Sequence, residues 1–482
     1  MNKKAVLLLV SACLLVALAL YCQDDFEAWQ KKQAEKFRQY KSAQDKAFVE
    51  FLEKNWEPYK TFTGEKIDTT PKPETPPVAD VTTEPELPQG NTVEDIVVPK
   101  LEEQVEKNSM LVAVDKAAPV VKIDFWGLPL EYNFQPNLEV NLEPLNEQAV
   151  ANFWYVVSNT DFEKLLQQLQ ESRAKMNLND WGYCLLVNEL GKNISHNSVN
   201  IKRLFIWFVL TKSGYECKVG YGEGSVYLLI PSANKIYGVT YVEMNGKRYY
   251  AITFEGNEKL DFAINTYDGK YPDADALIDL EVTESPRINT TIVEKELTFS
   301  YNGNTYKIPV RYDKNAAEFF RQYPQTNLDV YFNAPLSPEA TQSLTMGLKP
   351  ILEGKSEAEA ANIILRFVQT AFKYETDGDQ FGREKSFFAD ETLFYPYCDC
   401  EDRSIIFAHL IKQILNRQVV GLDYPGHIAT GVNFVTRIDG DFVMVDNKVF
   451  TVCDPTYINA DIGMAMPDFQ AVQPQIIDFT KK

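Results

Sequence analysis

The sequence predicts an α+β protein built from two folded domains with N-terminal extensions. At 482 residues the chain exceeds the usual size of a single core, and 45% hydrophobic residues are enough for two. Helical patterns alternate with strand pairs, one of which carries the hairpin signal Asn245-Gly246. The formal net charge of −20 argues against nucleic acid and anionic membrane surfaces as partners, because both would repel the chain.

Residues 1–22 predict a signal peptide or a signal anchor. Lys3 and Lys4 precede the uncharged apolar run 5–20, and Ala17 and Ala19 form a small-x-small cleavage site. The run is shorter than the ~20 residues of a standard spanning helix. We therefore expect an exported protein, periplasmic or otherwise extracytoplasmic, which an uncleaved anchor would tether to the cell envelope.

Residues 23–60 predict an amphipathic helix with a repeating aromatic stripe. Aromatic side chains recur every 11 positions in two series: Phe26, Phe37, Phe48 and Tyr59, and Trp29, Tyr40, Phe51 and Phe62. This period fits about 3.67 residues per turn, so the stripe stays in line along a helix. Pro58 is expected to end that helix near Trp56. The stripe either packs on the protein's own body or forms a self-associating, coiled-coil stalk.

Residues 61–118 predict a proline-rich linker. Prolines recur from Pro71 to Pro99 among threonines and glutamates. Such a composition cannot build a core and is typical of an extended, semi-rigid spacer. We expect this spacer to hold the folded part of the protein away from its N-terminus.

Two globular segments follow, an α+β domain at 119–335 and a second domain at 336–482. In the first, helices are predicted at 162–175 and 201–212. Strands are predicted at 119–126, 217–231, 237–254 and 291–312. In the second, Ser356 and Glu359 form a capping box that opens a helix.

The stretch YPYCDCEDRS, residues 395–404, leads into a helix that is apolar around most of its circumference and is therefore predicted to be buried. With Asp399 as its cap, Cys400 lies in the first turn, where free backbone N–H groups favour a thiolate. The neighbouring carboxylates oppose ionisation, and Arg403 offsets only part of their charge. A histidine partner is therefore needed.

The sequence contains three histidines, of which His427 is the candidate base. His409 lies on the same helix as Cys400 but on the opposite face. His196 lies in a polar loop of the earlier domain. His427 opens an alternating, strand-like stretch directly after a Pro-Gly turn.

Asp454, at the end of a later strand, is the candidate carboxylate that would join Cys400 and His427 as the third catalytic group. A two-residue turn at Asp439-Gly440 would set position 427 opposite 452, close to Asp454, although a second turn signal at 446–447 leaves that register open. A carboxylate beside an imidazole orients the ring and stabilises its charged form.

The D-C-E-D helix start, the glycine-preceded histidine and the D-P-T at a strand end resemble the transglutaminase-like superfamily, over roughly residues 356–466. That superfamily includes transglutaminases, cysteine peptidases and peptide-N-glycanases. The resemblance implies a papain-like triad in which Cys400 is the nucleophile, His427 the general base and acid, and Asp454 the orienting carboxylate. It implies neither a cofactor nor a metal.

Two departures from the family pattern bear on function. Cys398 stands where many members have glycine, and Glu401 replaces the aromatic residue that follows the nucleophile in animal transglutaminases. The second departure favours hydrolysis over cross-linking. The predicted function is a thiol-dependent amide hydrolase or acyltransferase acting on a protein or peptide. The alternatives are a noncatalytic envelope scaffold with a vestigial triad and a protein-crosslinking transamidase.

The sequence leaves open which groups donate to the oxyanion and which cysteines form disulfides. The backbone N–H of Cys400 is the natural oxyanion donor, with Gln380 and Tyr397 as weak candidates for a second. The cysteines at 398, 400 and 453 lack a paired C-x-x-C, so zinc is not expected, whereas a disulfide involving Cys400 would switch the enzyme off. Cys184 and Cys217 are a further candidate pair for a disulfide.

The first domain shows a candidate internal repeat of the second. With an offset of 200, Arg203 aligns with Arg403, and the apolar spacing of the two helices matches. Asn200 then takes the place of Cys400, so this copy would bind or position something rather than catalyse. The alternative is two unrelated buried helices.

Overall fold

The computed structural model describes residues 32, 36, 39–67, 70–80, 91–101, 111–136, 138–256 and 259–479. The fold is α+β, as the sequence predicts. The predicted signal segment 1–22 lies outside the described residues. Within them, no helix has both the length and the apolar character needed to cross a bilayer.

The α-helices of the described chain, numbered in order, are α1 (39–52), α2 (Glu147–Ser158), α3 (Phe162–Lys175), α4 (Asp180–Ile194), α5 (Val199–Lys212), α6 (Lys314–Phe320), α7 (Leu328–Asn333), α8 (Pro338–Leu352), α9 (Glu357–Ala371), α10 (Asp377–Phe381), α11 (Ala389–Phe394) and α12 (Cys400–Leu410). Helix α12 continues into a π-helical turn, Ile411–Leu415, and a short 3-10 helix covers Pro467–Phe469. The helices predicted at 162–175 and 201–212 are thus confirmed as α3 and α5.

The strands are β1 (Trp56–Tyr59), β2 (Thr61–Phe62), β3 (Val120–Phe125), β4 (Leu128–Asn133), β5 (Lys218–Gly222), β6 (Ser225–Pro231), β7 (Tyr241–Met244), β8 (Lys247–Ile252), β9 (Ile264–Tyr267), β10 (Ile292–Tyr301), β11 (Asn304–Asp313), β12 (Lys373–Tyr374), β13 (Tyr397–Cys398), β14 (Gln418–Tyr424), β15 (His427–Asn433), β16 (Phe442–Val445), β17 (Lys448–Cys453) and β18 (Gln475–Ile477). The hairpin predicted at Asn245-Gly246 joins β7 to β8, with both turn residues at positive φ as such a turn requires.

Two antiparallel sheets organise the molecule. The first has the strand order β1-β9-β5-β6-β8-β7-β2 and the second β16-β17-β15-β14-β18. Helix α5 packs on β6 of the first sheet, and α12 packs on β15 of the second. Buried side chains of both halves belong to one continuous hydrophobic cluster, so the two sheets are joined through a shared core.

The two halves repeat one local arrangement. Helix α5 leads into the hairpin β5–β6, and α12 leads into the hairpin β14–β15. Each hairpin has a two-residue turn, Glu223-Gly224 in the first and Pro425-Gly426 in the second, and each lies inside its sheet between two further strands. This is the arrangement that the predicted internal repeat requires.

The N-terminal helix ends earlier than the sequence predicts. Helix α1 ends at Leu52, and Trp56–Tyr59 forms strand β1, paired with β9. The aromatic residues beyond Leu52 are therefore not helical. Strands β1 and β2 instead form the two edges of the first sheet, where they pair with strands that would otherwise be exposed. Phe48 is buried against Trp154, with ring centroids 4.7 Å apart. Phe48 thus packs on the protein's own body, whereas Tyr40 and Phe62 of the other series are exposed.

The proline-rich segment is not a free spacer where the structure describes it. Residues 70–80, which we term the strap, run along the second half: Ala79 N–H donates to Ile458 O at 2.7 Å. Further on, Val93 N–H donates to Lys355 O at 2.8 Å. Proline restricts the unfolded chain, so a proline-rich segment loses less conformational entropy on docking than an ordinary one. Composition alone therefore predicted a spacer where the chain forms a docked segment.

Candidate active site

The start of helix α12 places Cys400 as the sequence predicts. Asp399 is the N-cap, and its N–H donates to Asp402 Oδ2 at 3.2 Å, so the carboxylate three positions on braces the first turn. Cys400 is the first helical residue and is completely buried. Its backbone N–H has no partner within the helix because it belongs to the first turn.

His427 and Asp454 meet at the end of the second sheet. His427 Nε2 lies 2.8 Å from Asp454 Oδ2, and both side chains are buried. Asp454 Oδ1 accepts from the N–H groups of Thr456 at 2.9 Å and Tyr457 at 3.1 Å, which fixes the carboxylate. The imidazole stacks on Phe469, with centroids 5.2 Å apart and planes 7° apart. The ring orientation is therefore set from two sides.

The other imidazole nitrogen faces no partner. His427 Nδ1 is buried and makes no hydrogen bond to any described residue. His427 and Cys400 line the same cavity, of about 460 Å³. Cys400 and His427 thus share one cleft, and Asp454 contacts the imidazole of His427 without lining that cleft.

The predicted register between the strands that carry His427 and Asp454 is wrong. Gly431, rather than His427, pairs with Val452, and the tight turn forms at Asp446-Asn447 instead of 439–440. Continuing the observed register sets Asp454 opposite Ala429, which shares a face of β15 with His427. The carboxylate therefore reaches the imidazole by a different pairing from the one predicted.

The thiol is held by its neighbour in the chain. Cys400 Sγ donates to Glu401 Oε2 at 3.2 Å. Burial, Glu401 and Asp399 raise the pKa of Cys400 well above its usual range, and Lys72 offsets only part of this. In this arrangement the sulfur is a protonated thiol, so the expected thiolate at the helix start is not favoured without a further partner.

Sequence analysis missed Lys72, a strap side chain that lines the cleft. Its ammonium lies 2.5 Å from Glu401 Oε1, 2.8 Å from Asp399 Oδ2 and 2.6 Å from Glu384 Oε2. Asp377 Oδ2 lies 3.8 Å away. The three N–H groups of Lys72 are thus engaged, which leaves none for a substrate oxyanion. No local pattern marks Lys72, because its partners lie more than 300 positions away in the chain.

We term these four carboxylates, Asp377, Glu384, Asp399 and Glu401, the acidic cage. One oxygen from each lies within 4.8 Å of the others. Carboxylate oxygens of this kind suit hard cations such as Ca²⁺. The position between them is taken by the Lys72 ammonium.

Arg403 has a different role from the one predicted. Rather than balancing charge at Cys400, its guanidinium donates to Phe372 O at 2.6 Å, at the end of α9. Burial raises the pKa of Cys398 to about 12, and Arg403 offsets part of that rise. Cys398 donates its S–H to Lys373 O at 3.6 Å.

The two weak candidates for a second oxyanion donor do not line the cavity with Cys400. Gln380 lies in α10 and Tyr397 in β13, both outside the residues that form the cleft. Ser386 does line it, and its Oγ is buried without a hydrogen-bond partner among the described residues. Ser386 is therefore the better-placed hydroxyl.

The remaining cysteines and His409 lie away from this cleft. The five described cysteines are buried and form no disulfide bonds with one another: Cys184, Cys217, Cys398, Cys400 and Cys453. His409 lines a separate cavity of about 230 Å³ on the other side of α12, as its predicted position opposite Cys400 requires.

The chain was compared with models of known protein families, with curated proteins and with solved structures. None of these comparisons found a match. Function is therefore inferred from the residues and their geometry.

Glu401→Gln is expected to make Cys400 more reactive. The carboxylate raises the pKa of the thiol, so the neutral amide lowers it and increases the thiolate fraction at pH 7. We expect alkylation by iodoacetamide to accelerate by roughly tenfold, with its pH midpoint shifted downward. Mass spectrometry of the Cys400 peptide across pH 6–10 measures the rate. Glu353→Gln, in the exposed pair with Lys349, is the matched control and should react as the wild type does. An unchanged or raised pH midpoint in Glu401→Gln would contradict this account.

His409→Gln is expected to reduce the loss of stability in acid. Burial, with Lys412 nearby, lowers the pKa of His409 from 6.5 to about 3. As pH falls below 6.5, the unfolded chain takes up a proton that the folded chain refuses, so stability falls towards pH 3. At pH 5 this costs the wild type about 2 kcal/mol. Urea unfolding at pH 7.5 and 5.0 measures the difference, and identical pH slopes for both proteins would refute it.

Proposed function

We propose that the chain is an exported thiol-dependent amide hydrolase or acyltransferase that works through Cys400, His427 and Asp454. One observation carries the proposal: an imidazole held by Asp454 through Nε2 leaves an unpartnered Nδ1 in the same cleft as a sulfur at a helix start. This is the arrangement by which a carboxylate-oriented histidine activates a nucleophile.

The first half of the reaction is acylation. The thiol proton of Cys400 passes to His427 Nδ1, and the sulfur attacks the carbonyl carbon of the substrate amide. The backbone N–H of Cys400 donates to the oxyanion, with Ser386 Oγ as the second donor. The imidazolium then protonates the amide nitrogen, the C–N bond breaks, and the amine leaves behind a thioester on Cys400.

The second half releases the acyl group. Water, or an amine in a transfer reaction, gives a proton to His427 Nδ1 and attacks the thioester carbon. The C–S bond breaks, and the imidazolium returns its proton to the sulfur, which restores the Cys400 thiol. Hydrolysis is favoured because Glu401, a polar residue, follows the nucleophile. Asp454 stabilises the imidazolium during both halves.

We place the second half of the chain in the transglutaminase-like superfamily, with a papain-like site. Support comes from a buried helix that begins with Cys400 and packs on a sheet whose adjacent strands carry His427 and Asp454. The substrate would be a protein or peptide outside the cytoplasm. Export itself is inferred from the apolar run at residues 5–20.

We further propose that the first half is a degenerate copy of the second. Asn200 aligns with Cys400, Ser225 opens β6 as His427 opens β15, and Thr253 follows β8 as Asp454 follows β17. Asn200 is tied to the hairpin, since its Oδ1 accepts from Val226 N–H at 2.8 Å. None of the three aligned residues can act as a thiol or an imidazole, so in this proposal the first half binds or positions something rather than catalysing a reaction.

A noncatalytic scaffold is the second candidate function. The observation in its favour is the thiol hydrogen bond to Glu401, which replaces a bond to His427. In that case the triad would be vestigial, and Cys400 would resist acylation even by an activated ester.

Reaction of the full chain with p-nitrophenyl acetate tests the proposal. We expect a burst of p-nitrophenolate equal to the protein concentration, with the acetyl group located on Cys400 by mass spectrometry. Added glycine ethyl ester then separates the chemistries, since a transamidase forms the acetylated amine faster than acetate. Absence of an acetyl group on Cys400 at every pH between 6 and 9 would favour the scaffold. Cys184→Ser is the matched control, because Cys184 is buried and is not among the residues that line the cleft.

A further inference from the structure

The acidic cage places four carboxyl groups around one cation, the Lys72 ammonium. Asp377, Asp399 and Glu401 have side chains no more than 5% exposed, and Glu384 is one-third exposed. Buried carboxylates are costly unless they are paired. Burial and Glu401 raise the pKa of Asp377 to about 7, a sign of this crowding. The cage is therefore built for a cation.

The cation in the acidic cage, the Lys72 ammonium, belongs to an extended segment of the chain. Lys72 lies between two prolines in the strap, which has no helix or regular strand. Thr70 and Pro71 lie directly over Gly426, where an added Cβ would come within 2.8 Å of Thr70 and 2.9 Å of the Pro71 carbonyl. Pro73 O accepts from Tyr374 Oη at 2.8 Å. The strap thus lies in the cleft as a peptide ligand would.

The cage and the nucleophile share one carboxylate. Glu401 accepts from the Lys72 ammonium through Oε1 and from Cys400 Sγ through Oε2. A group seated in the cage is therefore one carboxylate away from the reacting sulfur. Such a group would belong to a substrate residue next to the scissile amide.

A second observation at the cage points to a ligand. Asp399 is completely buried, and its Oδ1 has no hydrogen-bond partner among the described residues, while Oδ2 holds Lys72. Buried carboxylate oxygens normally have partners. The cage therefore keeps acceptor capacity that Lys72 does not use.

We propose that the acidic cage is a substrate subsite for a primary ammonium group, and that Lys72 is a tethered occupant that substrate displaces. The inference rests on the proposed function and names its substrate class: peptides with a lysine-type side chain or a free amino group beside the amide that Cys400 attacks. An ammonium has three donors, which matches the three short contacts that Glu384, Asp399 and Glu401 make to Lys72. A neutral side chain of the same length would leave these buried carboxylates unpaired.

The subsite also couples binding to reactivity. Lys72 partly offsets the burial and the carboxylates that raise the pKa of Cys400. A substrate ammonium in the same position supplies the same positive charge. A substrate without an ammonium group leaves the negative charge of Glu401 without a cation beside the thiol. The subsite would therefore discriminate between substrates through the thiolate fraction of Cys400 as well as through binding affinity.

The test uses the full chain with Lys72→Ala and two probes, Nα-acetyl-lysine amide and Nα-acetyl-norleucine amide. We expect the lysine probe to raise Tm saturably and to bind roughly tenfold or more tightly than the norleucine probe. Where Lys72→Ala unfolds, the lysine probe alone is expected to restore the folded protein. Equal effects of both probes would overturn the proposal, and so would stabilisation by Ca²⁺ with no preference between the probes.

Two further arms complete the design. In the wild type, the lysine probe is expected to slow iodoacetamide alkylation of Cys400 more than the norleucine probe, and equal slowing contradicts the subsite. Lys116→Ala, in an exposed pair, is the matched control and should respond to both probes as the wild type does. Thermal shift requires no catalysis, so lysine binding with an inert Cys400 would refute the proposed function alone. An acetylated Cys400 without lysine preference would refute the subsite alone.

Discussion

Replacing His427 with alanine is expected to slow acetylation of Cys400 by p-nitrophenyl acetate by roughly 10²- to 10⁴-fold, the usual contribution of a general base. The thiol donates to Glu401, but that carboxylate, with burial and Asp399, raises the pKa of Cys400 and so opposes formation of the thiolate. Among the described residues, His427 Nδ1 is the imidazole nitrogen that lines the same cleft. Stopped-flow measurement of p-nitrophenolate release gives the rate.

The matched control for this experiment is His196→Asn. His196 lies in an exposed loop at a positive φ, which asparagine tolerates well, so this variant should react at the wild-type rate. A His427→Ala protein that reacts within threefold of the wild type would show that Cys400 does not depend on the imidazole. The triad would then be vestigial.

Replacing Arg403 with methionine is expected to lower the free energy of unfolding by about 3 kcal/mol. Arg403 is buried and donates to Phe372 O at 2.6 Å and Gln369 O at 3.4 Å, where helix α9 ends. Methionine keeps most of the volume but leaves these buried carbonyls without donors. It also removes the guanidinium from the face of Tyr374, 5.3 Å away. Urea unfolding followed by circular dichroism measures the loss.

Arg437→Met serves as the control for that loss. Arg437 is exposed and lies over the ring of the edge-strand residue Phe442 at 5.6 Å. Exposed substitutions of this kind usually stay within about 0.5 kcal/mol. Similar losses for the two variants would mean that Arg403 does not act by closing the end of α9.

The features that sequence predicts well are those that local contacts decide. Helix α3 has the bounds that its amphipathic pattern predicts. The N–H of Glu359 donates to Ser356 Oγ at 3.2 Å, as the capping pattern requires. The start of α12 at Cys400 follows from Asp399 and Asp402, which lie within one turn of it. In each case the interacting groups are separated by only a few residues.

The features that sequence misses depend on contacts between distant segments. The strap has the composition of a spacer, yet Lys72 is bound by carboxylates of α10 and α12 and by Glu384. The aromatic period of residues 23–60 continues past Leu52, but pairing with β9 converts Trp56–Tyr59 into a strand. Periodicity cannot distinguish these outcomes, because the competing sheet edge lies about 200 residues away.

The same distinction between local and long-range contacts applies to the residues of the candidate site. Cys400, His427 and Asp454 can be chosen from sequence because each ends or begins an element with its own local signal. The strand register cannot, since two turn signals compete and only the turn at 446–447 becomes tight. The thiol's contact with Glu401 also escapes prediction, because burial decides which side chain the sulfur faces.

Treatment of the full chain with 1,3-dibromoacetone tests the central claim, that the Cys400 sulfur and His427 Nδ1 react across one cleft. Each end of this short reagent alkylates one nucleophile, so it bridges two groups only when they approach each other. We predict a covalent bridge between Cys400 and His427, identified by tandem mass spectrometry of the linked peptides. Alkylation of Cys400 without a bridge to His427, in a protein that remains folded, would contradict the account.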